Sequence, residues 1–324
     1  MKSLLYVFMA CLCASLGACA IAPGATDTVR PSDRARPVAE IPYRIAYRGW
    51  FTVDAMVNGQ GPYDFIVDSG ATITSAFANL ADEQAFNEEP DRTITILGLS
   101  GAREMPAYFI GDIEIGGITF EDHTGVVLPD WAPPNTPPQG LIGLDFLSSY
   151  NVFFDTSDKQ MRLYQRPDAP PLPAGWKRVP MTVFDDGGPG AKLYAVTIQV
   201  RSARIPCILD LGASGTIFNS AALRRMMTGV IHHNPYLNGR YITSNSRIND
   251  VFDVSVAATP LNIEYLRIGN ASWTNGTYLA YDAKIFKDLG YGDKPVCLIG
   301  ADMFVNRSFM FDFEGESLYI GPER

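Results

Sequence analysis

The sequence predicts an all-β protein made of two duplicated β lobes. Many short apolar runs are punctuated by 29 Gly and 23 Pro, which favours strands and turns over helices. An apolar strand runs into an acid, a hydroxyl residue and a glycine at Phe65-Ile66-Val67-Asp68-Ser69-Gly70-Ala71-Thr72. The arrangement returns as Cys207-Ile208-Leu209-Asp210-Leu211-Gly212-Ala213-Ser214. The 324 residues suffice for two substantial cores. With 47% hydrophobic and 19% charged residues, the chain is globular and not disordered. Its net charge of -9 offers no basic footprint for nucleic acid.

The chain starts with Lys2 and an apolar run from Leu4 to Leu16, too short to span a bilayer as a mature helix. The run ends at Leu16-Gly17-Ala18-Cys19, which resembles a bacterial lipoprotein cleavage site. That resemblance makes residues 1–19 a signal peptide and Cys19 the lipidated first residue of the mature chain. The alternative is an ordinary secretory signal cleaved nearby. Ala20, where an Asp would mark retention, implies delivery to the outer membrane on the periplasmic side of the envelope. Residues 20–40 lack apolar period and read as a flexible tether.

Regular structure is expected from Ile41. Trp50 to Val57 reads as a strand, Asn58-Gly59-Gln60-Gly61 as a hairpin turn, and Tyr63 to Val67 as the strand that delivers Asp68. Ala78 to Phe86 reads as a short helix. Thr93 to Leu97 and Ala107 to Ile115 flank the tight turn Gly98-Leu99-Ser100-Gly101. Ile118 to Phe120 and Val126 to Leu128 read as two further strands, and Pro129 to Gln139 as an irregular loop. Gly140-Leu141-Ile142-Gly143 leads into a short apolar helix, and Asn151 to Tyr164 forms a hairpin turning at 156–159. Asp145 and Asp302 read as helix-start residues, and Asp155 and Asp312 as turn residues. Pro-rich residues 167–175 form an extended linker.

The second half then retraces the first. Leu193 to Val200 matches the opening strand, Asn219 to Met227 the short helix, and Ile242 to Asn249 a second hairpin. Leu298-Ile299-Gly300 parallels Leu141-Ile142-Gly143, and Ser308 to Asp312 parallels Asn151 to Asp155. Asp68 and Asp210 are 142 residues apart, Ile115 and Ile268 are 153 apart, and Gly143 and Gly300 are 157 apart. The order never breaks and the spacing only grows, as expected for a duplicated unit with insertions in its second copy.

Asp-Ser-Gly-Ala after an apolar strand, the Ile-Gly pairs and the repeat together resemble aspartic proteases of the pepsin and retropepsin type. The resemblance covers about residues 41 to 321. It implies a bilobal β fold with a cleft, an N-terminal lobe over 41–166 and a C-terminal lobe over 176–324. It implies catalytic Asp68 and Asp210, loop support from Ser69, Gly70 and Gly212, and a flap at Gly98, Leu99, Ser100 and Gly101. Two facing carboxylates cannot both ionise cheaply, so one keeps a proton and the other can activate a water. No metal or other cofactor is required. In the family a hydroxyl residue follows each Asp; Ser69 fits and Leu211 departs.

The expected function is an aspartic endopeptidase of the cell envelope, anchored by lipid, monomeric, and acting on an extended peptide or protein. The alternative is an inactive lipoprotein that kept the cleft and holds a peptide or partner strand. Cys207 and Cys297 lie three residues before Asp210 and Gly300. They read either as a disulfide or as two buried thiols. His232-His233 read as a solvated loop.

Overall fold

The computed structural model describes residues 36–46, 49–130, 137–170, 172–184, 192–227 and 246–323. The signal segment with Cys19, most of the tether, His232-His233 and the start of the second hairpin lie outside them. Among the described residues strands account for 55% and helices for 11%, so the architecture is mostly β. Strands β1 (Ala39–Ile45), β2 (Phe51–Val57), β3 (Gln60–Val67) and β4 (Ser75–Phe77) precede helix α1 (Ala78–Gln84). Next come β5 (Asn87–Gly98), β6 (Gly101–Ile115), β7 (Ile118–Leu128), β8 (Gly140–Ile142), α2 (Leu144–Leu147), β9 (Tyr150–Asp155) and β10 (Gln160–Gln165).

The later part starts with β11 (Lys177–Pro180), β12 (Thr182–Phe184), β13 (Leu193–Val200), β14 (Ala203–Leu209) and β15 (Ile217–Phe218). Helix α3 (Ser220–Met227), β16 (Ser246–Asn249), β17 (Ser255–Ile268) and β18 (Ala271–Ala280) follow. Helix α4 (Lys284–Asp288), β19 (Cys297–Ile299), β20 (Phe309–Asp312) and β21 (Ser317–Ile320) complete the chain.

The strands form two sheets. One contains the run β2-β3-β8-β4-β7-β6-β5 with an extra β2–β6 pairing. The other contains β13-β14-β19-β15-β18-β17-β16 with an extra β13–β17 pairing. The two runs have the same order. In each, the strand that delivers the Asp is buried because it lies inside the sheet. Phe65, Ile66 and Val67 are buried between β2 and β8, and Cys207, Ile208 and Leu209 between β13 and β19. Apolar side chains on both faces are what such a position requires.

The first sheet continues from β2 through β1-β10-β9-β20-β21-β11 and so joins strands from both halves of the chain. Within that stretch β9 and β20 are antiparallel, with Phe153 opposite Met310 and Phe154 opposite Phe309. Phe153 and Met310 are 157 residues apart, the spacing of the sequence repeat, so β9 pairs with its own counterpart about its midpoint. The Phe154 and Phe309 rings stack with centroids 4.5 Å apart, and Phe51 and Phe304 pack around them. Each fully buried Phe stabilises the fold by about 1.5–3 kcal/mol.

Two strand expectations need correction. The strand expected over Thr93 to Leu97 extends over Asn87–Gly98, continuing past an irregularity between Glu88 and Thr93. Ile118 to Phe120 and Val126 to Leu128 are one strand. The polar run between them hid the continuity, since β7 carries on through register shifts opposite Gly111 and a left-handed Asp122.

Candidate active site

Both Asp loops are built alike. Asp68 follows β3, which runs parallel to β8, and its N–H donates to Ile142 O at 2.9 Å. Asp210 follows β14, parallel to β19, and its N–H donates to Ile299 O at 2.9 Å. Leu144 N–H donates to Ala71 O, and Ala301 N–H to Ala213 O, each at 2.8 Å. The close passage of the Ile-Gly strand behind each loop needs Gly143 and Gly300. A Cβ at either would strike the backbone of Ile73 or Gly215.

The loops meet face to face. Gly212 N–H donates to Asp68 Oδ1 at 3.2 Å, across the interface. A Cβ on Gly70 would collide with the Asp210 carboxyl, and a Cβ on Gly212 with that of Asp68. Glycine is the residue that permits this approach. Ser69, 2% exposed, supplies one hydroxyl for two cross-loop bonds. Its Oγ–H donates to Leu209 O, and its Oγ accepts from Leu211 N–H, both at 3.1 Å. Leu211 is buried in the main core and has no hydroxyl to return those bonds. The structure thus brings together Asp68, Asp210, Ser69, Gly70 and Gly212.

Two further pairs support the loops from behind. Thr74 Oγ1 donates to Asp145 Oδ1 at 2.7 Å and accepts from Gly143 N–H at 3.0 Å. Thr216 Oγ1 donates to Asp302 Oδ1 at 2.8 Å and accepts from Gly300 N–H at 3.1 Å. Sequence reasoning missed both threonines. Their signal was present: Thr74 and Thr216 are 142 residues apart, and Asp145 and Asp302 are 157 apart, the spacings of the repeat. The helix-start reading of Asp145 holds in part, since its Oδ1 also accepts from Phe146 N–H at 2.9 Å. Burial pushes the Asp302 carboxyl up to about 6.

The two central carboxyls are unequal. Burial raises Asp68 above the ordinary carboxylate range, but three backbone donors oppose the rise. Gly70 N–H lies at 2.8 Å from Oδ1, and Ala71 and Gly212 N–H at 3.2 Å. Burial raises Asp210 well above that range, and the charge of Asp68 pushes it further. Ala213 N–H donates to Asp210 Oδ1 at 2.9 Å. Of the two, Asp210 is therefore the one whose carboxyl is pushed further toward the protonated form.

Above the carboxyls lies a cavity walled mainly by aliphatic side chains, among them Ile66, Ile73, Leu141, Ile217, Ile248 and Leu298. Two hairpins roof it. Gly98 pairs with Gly101 at the tip of β5–β6, and Gly98 and Leu99 line the cavity. The tip touches the second hairpin, β16–β17, whose described part starts at Ser246. Ser100 N–H donates to Asp250 Oδ2 at 3.1 Å, and Gly98 packs against Phe252. Leu99 O accepts from Lys284 N–H at 2.9 Å, and Gly101 lies against the Lys284 side chain. Asp250 Oδ1 accepts from Phe252 and Val254 N–H, both at 2.9 Å, so one carboxylate folds the second tip and grips the first.

Cys207 and Cys297 form a disulfide at opposed positions of β14 and β19. Both are fully buried. The counterpart positions in the first half are Phe65 and Gly140, also opposed in register.

A sequence model of the family described as aspartyl protease matches residues 53–146. That stretch runs from within β2 into α2 and includes Asp68, Ser69, Gly70, the Gly98–Gly101 tip and Gly143. Its similarity to this family suggests a peptidase. Asp210 and its loop lie beyond the matched residues. No curated protein matches the chain.

Proposed function

We propose that the protein is an aspartic endopeptidase with one site shared by Asp68 and Asp210. The observation that carries this reading is the mutual contact of the two loops, each glycine against the other loop's carboxyl. In the proposed reaction Asp68 takes a proton from a water as the water oxygen attacks the peptide carbonyl carbon. Asp210 gives its proton to the carbonyl oxygen. On collapse, the proton held by Asp68 passes to the leaving nitrogen, the C–N bond breaks, and a hydroxyl of the intermediate returns a proton to Asp210. The roof hairpins would close over an extended substrate and exclude water.

A bilobal, duplicated fold is the companion proposal, with lobes over 41–166 and 176–324 joined by 167–175. The matched strand orders and the self-pairing of Phe153 with Met310 support it. Each lobe then brings its own Asp, and the active unit is a monomer. Sedimentation as a tight dimer would count against that. The lipoprotein-like Leu16-Gly17-Ala18-Cys19 supports a lipid-anchored envelope location with periplasmic protein segments as substrates.

A second reading, a binding lipoprotein without turnover, is favoured by Leu211, which leaves the second loop without its hydroxyl. Digestion of unfolded casein from acid to neutral pH separates the two. Wild type is expected to cleave, and Asp68→Asn and Asp210→Asn each to lose turnover by on the order of 1,000-fold or more. A folded wild type without turnover favours the binding lipoprotein.

A further inference from the structure

We infer that His123 is a positioning residue of the site, holding the Asp68 loop from behind through Thr74. The inference rests on the two-Asp reading. His123 is 5% exposed and takes no part in the proposed reaction. Its Nε2 lies 2.7 Å from Thr74 O. A carbonyl oxygen only accepts, so Nε2 carries the hydrogen, and the bond fixes the tautomer. The ring packs against Phe120, with centroids 4.6 Å apart.

A bulge in β7 aims the ring there. Phe120 stands opposite Ile113, and His123 opposite Gly111. The step is two residues on β6 and three on β7, so β7 carries one extra residue. Glu121 and Asp122 are exposed, Asp122 is left-handed, and His123 returns to the face of Phe120. Without the extra residue Asp122 would stand opposite Gly111, and a carboxylate cannot donate to a carbonyl. Gly125 completes the approach, since a Cβ on it would strike Thr74 O and crowd His123 Nε2.

Thr74 passes the constraint to the loop. Its N–H and Oγ1 donate to Asp145 at 2.9 and 2.7 Å, and Oγ1 accepts from Gly143 N–H at 3.0 Å. Gly143 lies between Ile142, whose O accepts from Asp68 N–H, and Leu144, whose N–H donates to Ala71 O. With His123 on its carbonyl, Thr74 is bonded through every polar group. The second half shows what the imidazole substitutes for. There Thr216 O accepts from a backbone N–H, that of Leu279, at 2.9 Å. β15 pairs with β18 from Ile217, directly after Thr216, whereas β4 pairs with β7 from Ala76, two residues after Thr74. The first ladder starts one step later, and His123 takes the carbonyl that the ladder leaves.

The test is made on the full soluble chain lacking residues 1–19, with casein digestion well below each variant's melting temperature. His123→Asn keeps an amide that is too short to reach Thr74 O. His123→Gln puts its amide nitrogen where Nε2 stands. His123→Asn is expected to lower kcat about 10–100-fold with KM within about twofold, because Asp68 loses its placement. His123→Gln should restore most of the loss. Amides of Thr74, Gly143 and Leu144 should exchange at least about 10-fold faster in His123→Asn, with Gly300 and Ala301 unchanged. Gly125→Ala drives a methyl between the ring and Thr74 O, and should repeat both effects if His123→Asn does not fold. Nitrogen-15 NMR of wild type should find the His123 hydrogen on Nε2.

A merely structural histidine would lower the melting temperature and leave kcat alone. Unchanged kcat in folded His123→Asn, equal loss in His123→Asn and His123→Gln, or a wild-type ring protonated on Nδ1 alone would overturn the inference. If wild type shows no turnover, the protease reading fails, and exchange confined to Thr74, Gly143 and Leu144 still decides whether His123 holds the loop.

Discussion

The first and second Asp loops share one backbone and differ in what braces it. Both end a buried strand, both are backed by a parallel strand, and both rest on a Thr–Asp pair. The first has Ser69, and its carboxyl accepts three N–H groups. The second has Leu211 and a disulfide, and burial and the charge of Asp68 push its carboxyl further above the ordinary range. The difference teaches that the site is symmetric in backbone and asymmetric in charge. Unequal donors around equal carboxyls suffice to separate their proton affinities.

The largest expected effects test the symmetric part. Gly70→Ala and Gly212→Ala each drive a methyl group into the opposite carboxyl, so each should cut turnover at least about 100-fold. If only one does, the loops do not face each other as described. Steady-state casein digestion on folded variants reads this.

Next come the braces. Ser69→Ala removes two cross-loop bonds and leaves Leu209 O and Leu211 N–H buried, at a cost of about 1–3 kcal/mol, with turnover falling alongside. Leu211→Ala creates a core cavity and should cost about 2–5 kcal/mol in urea melts. Its KM and kcat should change far less than those of Ser69→Ala. Equal kinetic loss in both would erase the contrast between the loops.

Asp302 gives a pH signature. Its carboxyl titrates at about 6 in the fold, against an ordinary 3.8. The folded state therefore holds that proton more tightly. The stability it confers is complete below about 3.8 and is lost as pH rises through 6, to on the order of 3 kcal/mol. Asp302→Asn should flatten the melting temperature between about pH 3.8 and 6, the range those two values bracket. A variant with the wild-type pH profile would remove Asp302 as the cause. The smallest effect concerns the roof: Asp250→Asn should speed amide exchange at Ser100 without altering the Asp68 loop.

Much of the site was legible because strand, Asp, hydroxyl and Gly recur in order, and the backbone has few ways to place a buried Asp at a strand end. Asp68, Ser69, Gly70, Asp210 and Gly212 came from that pattern. Asp145 and Asp302 were read only locally, as helix starts, because their bond to a threonine joins segments 71 and 86 residues apart. The grip of Asp250 on Ser100 spans 150 residues, and no local pattern announces it. The full length of β7 was hidden by the polar run 121–123, which sits at an irregular stretch of an otherwise continuous strand. Leu211 announced an absent hydroxyl, and the choice between a disulfide and two buried thiols at Cys207 and Cys297 needed the register of β14 against β19.

The most direct measurement is a carbon-13 NMR titration of the Asp carboxyls in wild type and Asp68→Asn. Asp210 should hold its proton well above the ordinary range in wild type, and its pKa should fall in Asp68→Asn, where the neighbouring charge is gone. Asp68 should ionise first in wild type. An Asp210 that titrates in the ordinary range, or ignores the loss of Asp68, would contradict a single shared site.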